Sequence, residues 1–226
     1  MTGLVLQTQA DAPAGLLARW AQRRGFALRE FRTDGDEAWP DPREFDFVVA
    51  LGSSATATGS GPEWVEREIE WLRAADEADV PVLGICFGAQ ALARALGGSV
   101  LRLPKPEVGW VTVDSNDTDR IPSGPWMEWH EDGFTLPPLA YELASNEFGV
   151  QAFCHCRHLA VQFHPEVTPA IVASWSKSDH EDMRRAGVTQ QDLDPAPHAE
   201  IAAAAADVLF DGFAARAGLV AVASGT

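Results

Sequence analysis

Pro81-Val82-Leu83-Gly84-Ile85-Cys86-Phe87-Gly88-Ala89-Gln90 passes from a strand pattern to a helix pattern within ten residues. Val82-Leu83-Gly84-Ile85 reads as the end of a buried strand, and residues 89–96 read as a helix. Between them, Gly84-Ile85-Cys86-Phe87-Gly88 has the form of a G-x-nucleophile-x-G turn. The glycines suit a backbone that reverses sharply and packs too closely for side chains. Such a turn lifts Cys86 off the sheet and sets it at a helix N-terminus, where unpaired N–H groups and the helix dipole favour thiolate over thiol. A lone cysteine is more often a small buried hydrophobe. Here the strand–turn–helix context favours a nucleophile.

Working outward, strand and helix signals alternate. Strands are expected at 3–7, 26–32, 45–51 and 80–85, with helices near 13–24 and 62–78. This alternation predicts an α/β fold, a mostly parallel twisted sheet with helices on both faces. On the second helix, Glu63, Glu66 and Glu70 with Arg67 and Arg73 read as the solvated face, and Trp64, Ile69 and Leu72 as the packed one. After Gly97-Gly98 the strands shorten, to 99–103, 108–113, 127–130, 141–145, 150–153 and 159–163, and several are expected to pair antiparallel at one sheet edge. Helices are expected at 169–176, 179–186 and 199–217, with a loop at 187–197. In the last helix Ile201, Val208, Leu209 and Phe213 are expected to dock on the sheet, and residues 219–226 are expected to fray. One domain over 1–226 accounts for the whole pattern.

Composition narrows the function classes. The formal charge is 17 − 33 = −16, which argues against a nucleic-acid or anionic-membrane surface. No apolar run approaches the ~20 residues of a membrane span. Met1-Thr2-Gly3-Leu4-Val5-Leu6-Gln7 reads as a first strand rather than a signal peptide. Three cysteines do not suggest a disulfide framework and fit a reducing, cytoplasmic compartment. Cys154-His155-Cys156-Arg157-His158 concentrates zinc-ligand types, and on a strand Cys154 and Cys156 would share one face while His155 turned away. No second cluster supplies the remaining ligands, so no metal is expected.

A nucleophilic thiol needs a base, and the base needs an orienting group. Leu159-Ala160-Val161-Gln162-Phe163-His164-Pro165-Glu166 offers both. In extended chain, residues i and i+2 point to the same side, so Glu166 can accept from one nitrogen of His164 while the other faces the thiol. The bland alternative is a solvated His and Glu at a strand end.

Together these stretches resemble the class I (triad-type) glutamine amidotransferases. GICFGAQ is similar to that family's nucleophile motif and QFHPEV to its His-x-Glu motif. Residues 126–137, WMEWHEDGFTLP, resemble the W-x-x-H-x-D segment of the GMP-synthase-like branch, and ELASNEFGVQAF also fits that branch. Lys105-Pro106-Glu107-Val108-Gly109-Trp110 resembles the E-x-G-W stretch of stand-alone members. The resemblance implies a flavodoxin-like sheet and a mechanism in which Cys86 attacks the side-chain amide of glutamine. His164 would deprotonate the thiol and later protonate the departing ammonia, with Glu166 orienting it. The oxyanion would be held by the backbone N–H of Phe87 and by one from Gly52-Ser53. Gln90 falls on the motif's glutamine and would help to hold the substrate, although an ordinary first-turn helix residue is the alternative. The backbone of Trp129, His130 and Glu131 would contact the substrate's α-amino and α-carboxylate groups, with His130 alternatively a hydrogen-bonded surface histidine. No cofactor is implied. Many family members carry Gly-Gly-Pro at the oxyanion loop, whereas this chain has Gly52-Ser53-Ser54, and Ser53 tolerates positive φ poorly.

An α/β-hydrolase reading would place an acid between nucleophile and histidine, where Asp114, Asp117 and Asp132 are available. Glu166 and the WHEDGFTLP segment favour the amidotransferase fold. Gly52-Ser53-Ser54-Ala55-Thr56 lacks the lysine and spacing of a phosphate loop. The leading expectation is therefore a glutaminase-type subunit releasing glutamate and ammonia for a separate synthetase. A stand-alone γ-glutamyl peptide or amide hydrolase is the second, and a non-catalytic binding module the third.

Overall fold

Four short strands with almost no exposed residue hold the centre of the molecule, which a computed structural model describes over residues 1–178 and 180–219. β1 (Thr2–Gln7), β3 (Phe47–Ala50), β4 (Val82–Ile85) and β10 (His158–Val161) are nearly continuous buried runs, the signature of parallel strands covered on both faces. With β2 (Ala27–Arg32) outermost they pair in parallel in the order β2-β1-β3-β4-β10. The sheet continues through β9 (Gly149–His155), β8 (Tyr141–Asn146) and the two-residue β6 (Asp114–Ser115), all paired antiparallel. The α/β architecture and the antiparallel edge follow the sequence expectation.

Helices cover both faces. α1 (Gly15–Arg24) and α6 (Ala199–Ala217) pack on one, where Trp20 meets Phe26 and Phe210 with ring centroids 5.5 and 5.7 Å apart. α2 (Glu63–Glu77) and α3 (Phe87–Ala95) cover the other, with Ile69 and Leu72 buried and Trp64 against Phe87. On α6 the expected apolar stripe is corrected. Leu209 and Phe213 are buried, but Ile201 is 56% and Val208 41% exposed. The helix docks instead through Ala202, Ala205, Ala206, Leu209, Phe210, Phe213 and Ala217. Leu219, placed in the fraying tail from sequence, packs against the core; residues 220–226 and Asp179 lie outside the described residues.

The strands expected at 99–103 and 108–113 form one strand, β5 (Val100–Val111), irregular between Arg102 and Glu107. Pro104 and Pro106 fall in that interval and cannot donate ladder bonds. β5 pairs with β7 (Trp126–Phe134) as a separate two-stranded ribbon, not as part of the main sheet edge. One side of the ribbon supplies Val108 and Met127 to a third apolar cluster with Ile171 and Val172 of α4 (Pro169–Ser178) and Met183 of α5 (His180–Ala186). The ribbon thereby comes to lie over the C-terminal ends of β4 and β10.

Candidate active site

Cys86 stands at φ 52°, ψ −111°, between β4 and α3, a backbone state that costs a non-glycine residue roughly 1–3 kcal/mol. Neighbouring bonds hold it there. Its N–H donates to Val161 O at 2.8 Å, and its carbonyl accepts from Gln90 N–H at 3.0 Å. Gly88 allows the turn to close, because a Cβ there would lie 2.0 Å from Ala50 O. The expectation drawn from the decapeptide thus has a geometric basis, a strained residue seated where β4, β10 and α3 converge.

The chain beyond β10 leaves the sheet but stays anchored. Gln162 N–H donates to Gln151 O and His164 N–H to Met127 O, each at 2.8 Å, so His164 is fixed to the ribbon. Its Nδ1 lies 2.7 Å from Glu166 Oε1, the i, i+2 pairing expected from extended chain. Its ring meets Trp175 of α4 edge-on at 4.8 Å. His164 and Glu166 are 4% and 2% exposed. Burial alone would push the His164 pKa down. The Glu166 carboxylate and the Cys86 sulfur, both attractive to an imidazolium and hydrogen-bonded to it, hold it well above the usual value instead.

Gly52, on the loop after β3, closes the other side, where a Cβ would come within 2.9 Å of His164 Cε1 and 3.7 Å of Cys86 Cβ. Phe87 opens α3, where the first N–H groups have no acceptor within the helix, and Ser53 borders the same pocket as Cys86. Cys86, His164, Gly52, Ser53, Gln90 and Trp129 line one pocket of about 370 Å³, within the range of roughly 300–1,000 Å³ usual for small-molecule sites. His130 and Glu131 line it too; of the residues expected at the site, Glu166 reaches it only through His164 Nδ1, and the Phe87 side chain packs inward on Trp64. Gln90 donates from Nε2 to Asp132 O at 2.9 Å, tying α3 to the ribbon as well as facing the pocket. Cys86 Sγ lies 3.7 Å from Trp129 O.

His130 is not a surface residue. It is 6% exposed, with Nδ1 2.9 Å from Asp132 O and Nε2 2.9 Å from Glu107 Oε2. A carbonyl only accepts, so Nδ1 carries a proton. With Nε2 against a carboxylate, the ring is held as an imidazolium. Burial opposes this, but Glu107 and Glu128 outweigh it and push its pKa up to about 10. Glu128 lies 3.3 Å from the same Nε2 with no further partner among the described residues, and burial raises its carboxyl to about 7. Glu107 is itself held by Asn146 and Gln151. This buried group was missed from sequence. The signal was present in part: Glu128, His130 and Asp132 alternate with Trp129 and Glu131 along β7, and the period of two puts them on one face.

Glu107, Glu128 and His130 are also the one trio among the described residues with metal-ligating atoms within 4.8 Å of one another. The Cys154–His158 stretch forms no such set. β9 ends at His155, and Cys156 sits in the following turn at φ 47°. Cys154 is therefore buried and Cys156 exposed, not on a shared face, and both are free thiols.

The fold and site define a class of protein, an α/β sheet carrying a thiol, an imidazole and a carboxylate at the C-terminal ends of its central strands. The family description "Glutamine amidotransferase class-I" matches residues 38–172, more than half of the chain, and the chain belongs to that family. It is 38% identical over 145 residues to one subunit of the glutamine-hydrolyzing GMP synthase of Sulfolobus acidocaldarius, covering 58% of this chain and 73% of the relative. It is 33% identical to the glutamine-hydrolyzing GMP synthase of Aromatoleum aromaticum over 56% of this chain, but spans only 28% of that longer protein. Among solved structures, a glutamine amidotransferase from Thermotoga maritima superposes with TM-score 0.83 at 22% identity, covering 94% of this chain and 97% of that one. That likeness shows the fold. No helix of the described residues is long and apolar enough to cross a membrane.

Proposed function

We propose that this chain hydrolyses the side-chain amide of glutamine through a γ-glutamyl thioester on Cys86 and passes the ammonia to a separate synthetase. The observation that carries the reading is the array at the pocket, where Cys86 and His164 stand together beside Gly52 and Glu166 holds the imidazole at 2.7 Å. Cys86 Sγ attacks the amide carbon while its proton resides on His164, whose raised pKa keeps it there until the C–N bond breaks. His164 then protonates the departing nitrogen, giving ammonia. Water, deprotonated by His164, attacks the thioester and releases glutamate. The tetrahedral oxyanion is met by the N–H groups of Phe87 and Ser53, each such donor being worth about two to three orders of magnitude in rate.

The synthetase partner is supported by the relative whose name makes it one subunit of a GMP synthase. A second reading keeps this chemistry but changes the leaving group to a peptide or amine; the 370 Å³ pocket, lined well beyond the thiol by Arg102 and Asp182, favours it. Steady-state release of glutamate and ammonia from glutamine, beside γ-glutamyl peptides, separates the two. Higher kcat/KM on glutamine, rising further when a synthetase is added, supports the first. Higher kcat/KM on the peptides, with no synthetase effect, supports the second. Cys86→Ala is expected to abolish turnover in either case, and unchanged turnover would remove both.

A further inference from the structure

The N–H of Ser53 can receive an oxyanion only if the loop after β3 holds still, and nothing in its own residues guarantees that. Gly52 must stay small, because His164 occupies the place of its Cβ. The next two residues are serines, neither of which restricts φ as proline does. Ser54 is exposed, so water can meet its backbone N–H and leave the loop free to move. An acceptor comes instead from another segment. Gln9, two residues past the end of β1, accepts from Ser54 N–H through its side-chain Oε1 at 2.5 Å. Gln9 is itself pinned, since Gln7 Nε2 donates to Gln9 O at 2.7 Å. On the far side the Ser53 hydroxyl accepts from Ala55 N–H at 3.1 Å. Before the serines, Leu51 N–H donates to Leu6 O at 3.1 Å. The loop is thus clamped to the end of β1 at Leu51 and at Ser54, with Ser53 between the two clamps. Gln9, Ser53, Ser54 and Cys86 all border the same pocket.

We propose that Gln9 is a positioning residue for this active site, its amide oxygen holding Ser54 so that the Ser53 N–H is aimed at the developing oxyanion. The proposal rests on the thiol mechanism above. It acts on kcat, because the oxyanion exists only after attack, and leaves the resting thiol untouched. No sequence motif identifies Gln9; the link to Ser54 spans 45 residues and exists only in the folded chain.

The test separates acceptance of a hydrogen bond from filling of space. Gln9→Met keeps the length but cannot accept, whereas Gln9→Glu keeps an acceptor. With glutamine and an activated γ-glutamyl anilide as substrates, Gln9→Met is expected to lower kcat about tenfold with KM within about twofold, as loss of transition-state positioning requires. Gln9→Glu is expected to stay within about threefold of the wild type. Alkylation of Cys86 by iodoacetamide should proceed at the wild-type rate in both variants. Hydrogen exchange at the Ser54 amide should be slow in the wild type and at least about tenfold faster in Gln9→Met. Equal kcat in Gln9→Met and the wild type, or equal loss in both variants, would overturn the proposal. So would Ser54 exchange indifferent to Gln9. If the wild type turned over neither substrate, the functional reading would fail by itself. The exchange measurement would still decide whether Gln9 clamps the loop.

Discussion

At Gly52 the residue scale is clearest, because its missing side chain is where His164 sits. Adding one methyl group places a carbon 2.9 Å from His164 Cε1, tighter than van der Waals contact allows, and the imidazole is the movable partner. Gly52→Ala should therefore lower kcat roughly a hundredfold through misplacement of the base. Gly52 is buried, so the denaturation midpoint should fall as well, and kcat is compared on protein shown to be folded at the assay temperature. A variant with wild-type kcat would mean that His164 has slack the geometry does not show. Cys86, His164 and Glu166 were legible from sequence because their relationships are local, a turn in one case and i, i+2 spacing in the other. His130 was not. Its burial depends on Glu107 lying directly across the ribbon and on Glu128 beside it, and a histidine with no visible partner reads as a surface residue. Gln9 was invisible for the same reason.

Elements were read well where one period dominated and poorly where small residues carried the packing. α6 shows both. Alanines form its contact stripe with Leu209, Phe210 and Phe213, and a sequence reading weighted to large side chains put Ile201 and Val208 in their place. The resulting prediction is a contrast along one helix. Phe213→Ala, at a residue 1% exposed, should destabilise by about 3–5 kcal/mol. Val208→Ala should cost no more than about 0.5 kcal/mol. Urea denaturation of the two variants checks this, and similar losses would mean that α6 is seated differently. The β5–β7 ribbon was read as edge strands because alternation reports a half-buried strand without reporting its partner. What places it over the site is its apolar side against α4 and α5, a contact between distant segments that no local pattern encodes.

For the molecule as a whole, buried acids make stability depend on pH in an unusual direction. Glu68 is 1% exposed, with a hydrogen bond from Thr33, and burial raises its carboxyl from 4.5 to about 8. Between those values the folded chain keeps a proton that the unfolded chain gives up. Stability therefore falls as pH rises through that window, by up to about 1.4 kcal/mol per pH unit. Glu128, raised to about 7, adds to the fall over a narrower range. The imidazolium of His130 contributes stability that is full below 6.5 and fades as pH climbs toward about 10. Glu68→Gln removes the first of these contributions alone. Denaturant titrations at pH 5 and pH 8 should show the wild type losing several kcal/mol more than the variant across that interval, about the amount its shift implies. Parallel losses would show that Glu68 is ionised in the folded chain.

The central claim is that Cys86 forms a γ-glutamyl thioester, and trapping that intermediate tests it most directly. Hydroxylamine added during turnover of glutamine should divert the acyl group to γ-glutamyl hydroxamate, detected by mass spectrometry, with none formed by Cys86→Ala. Glutamate release without hydroxamate, or hydroxamate formed equally by Cys86→Ala, would contradict the account.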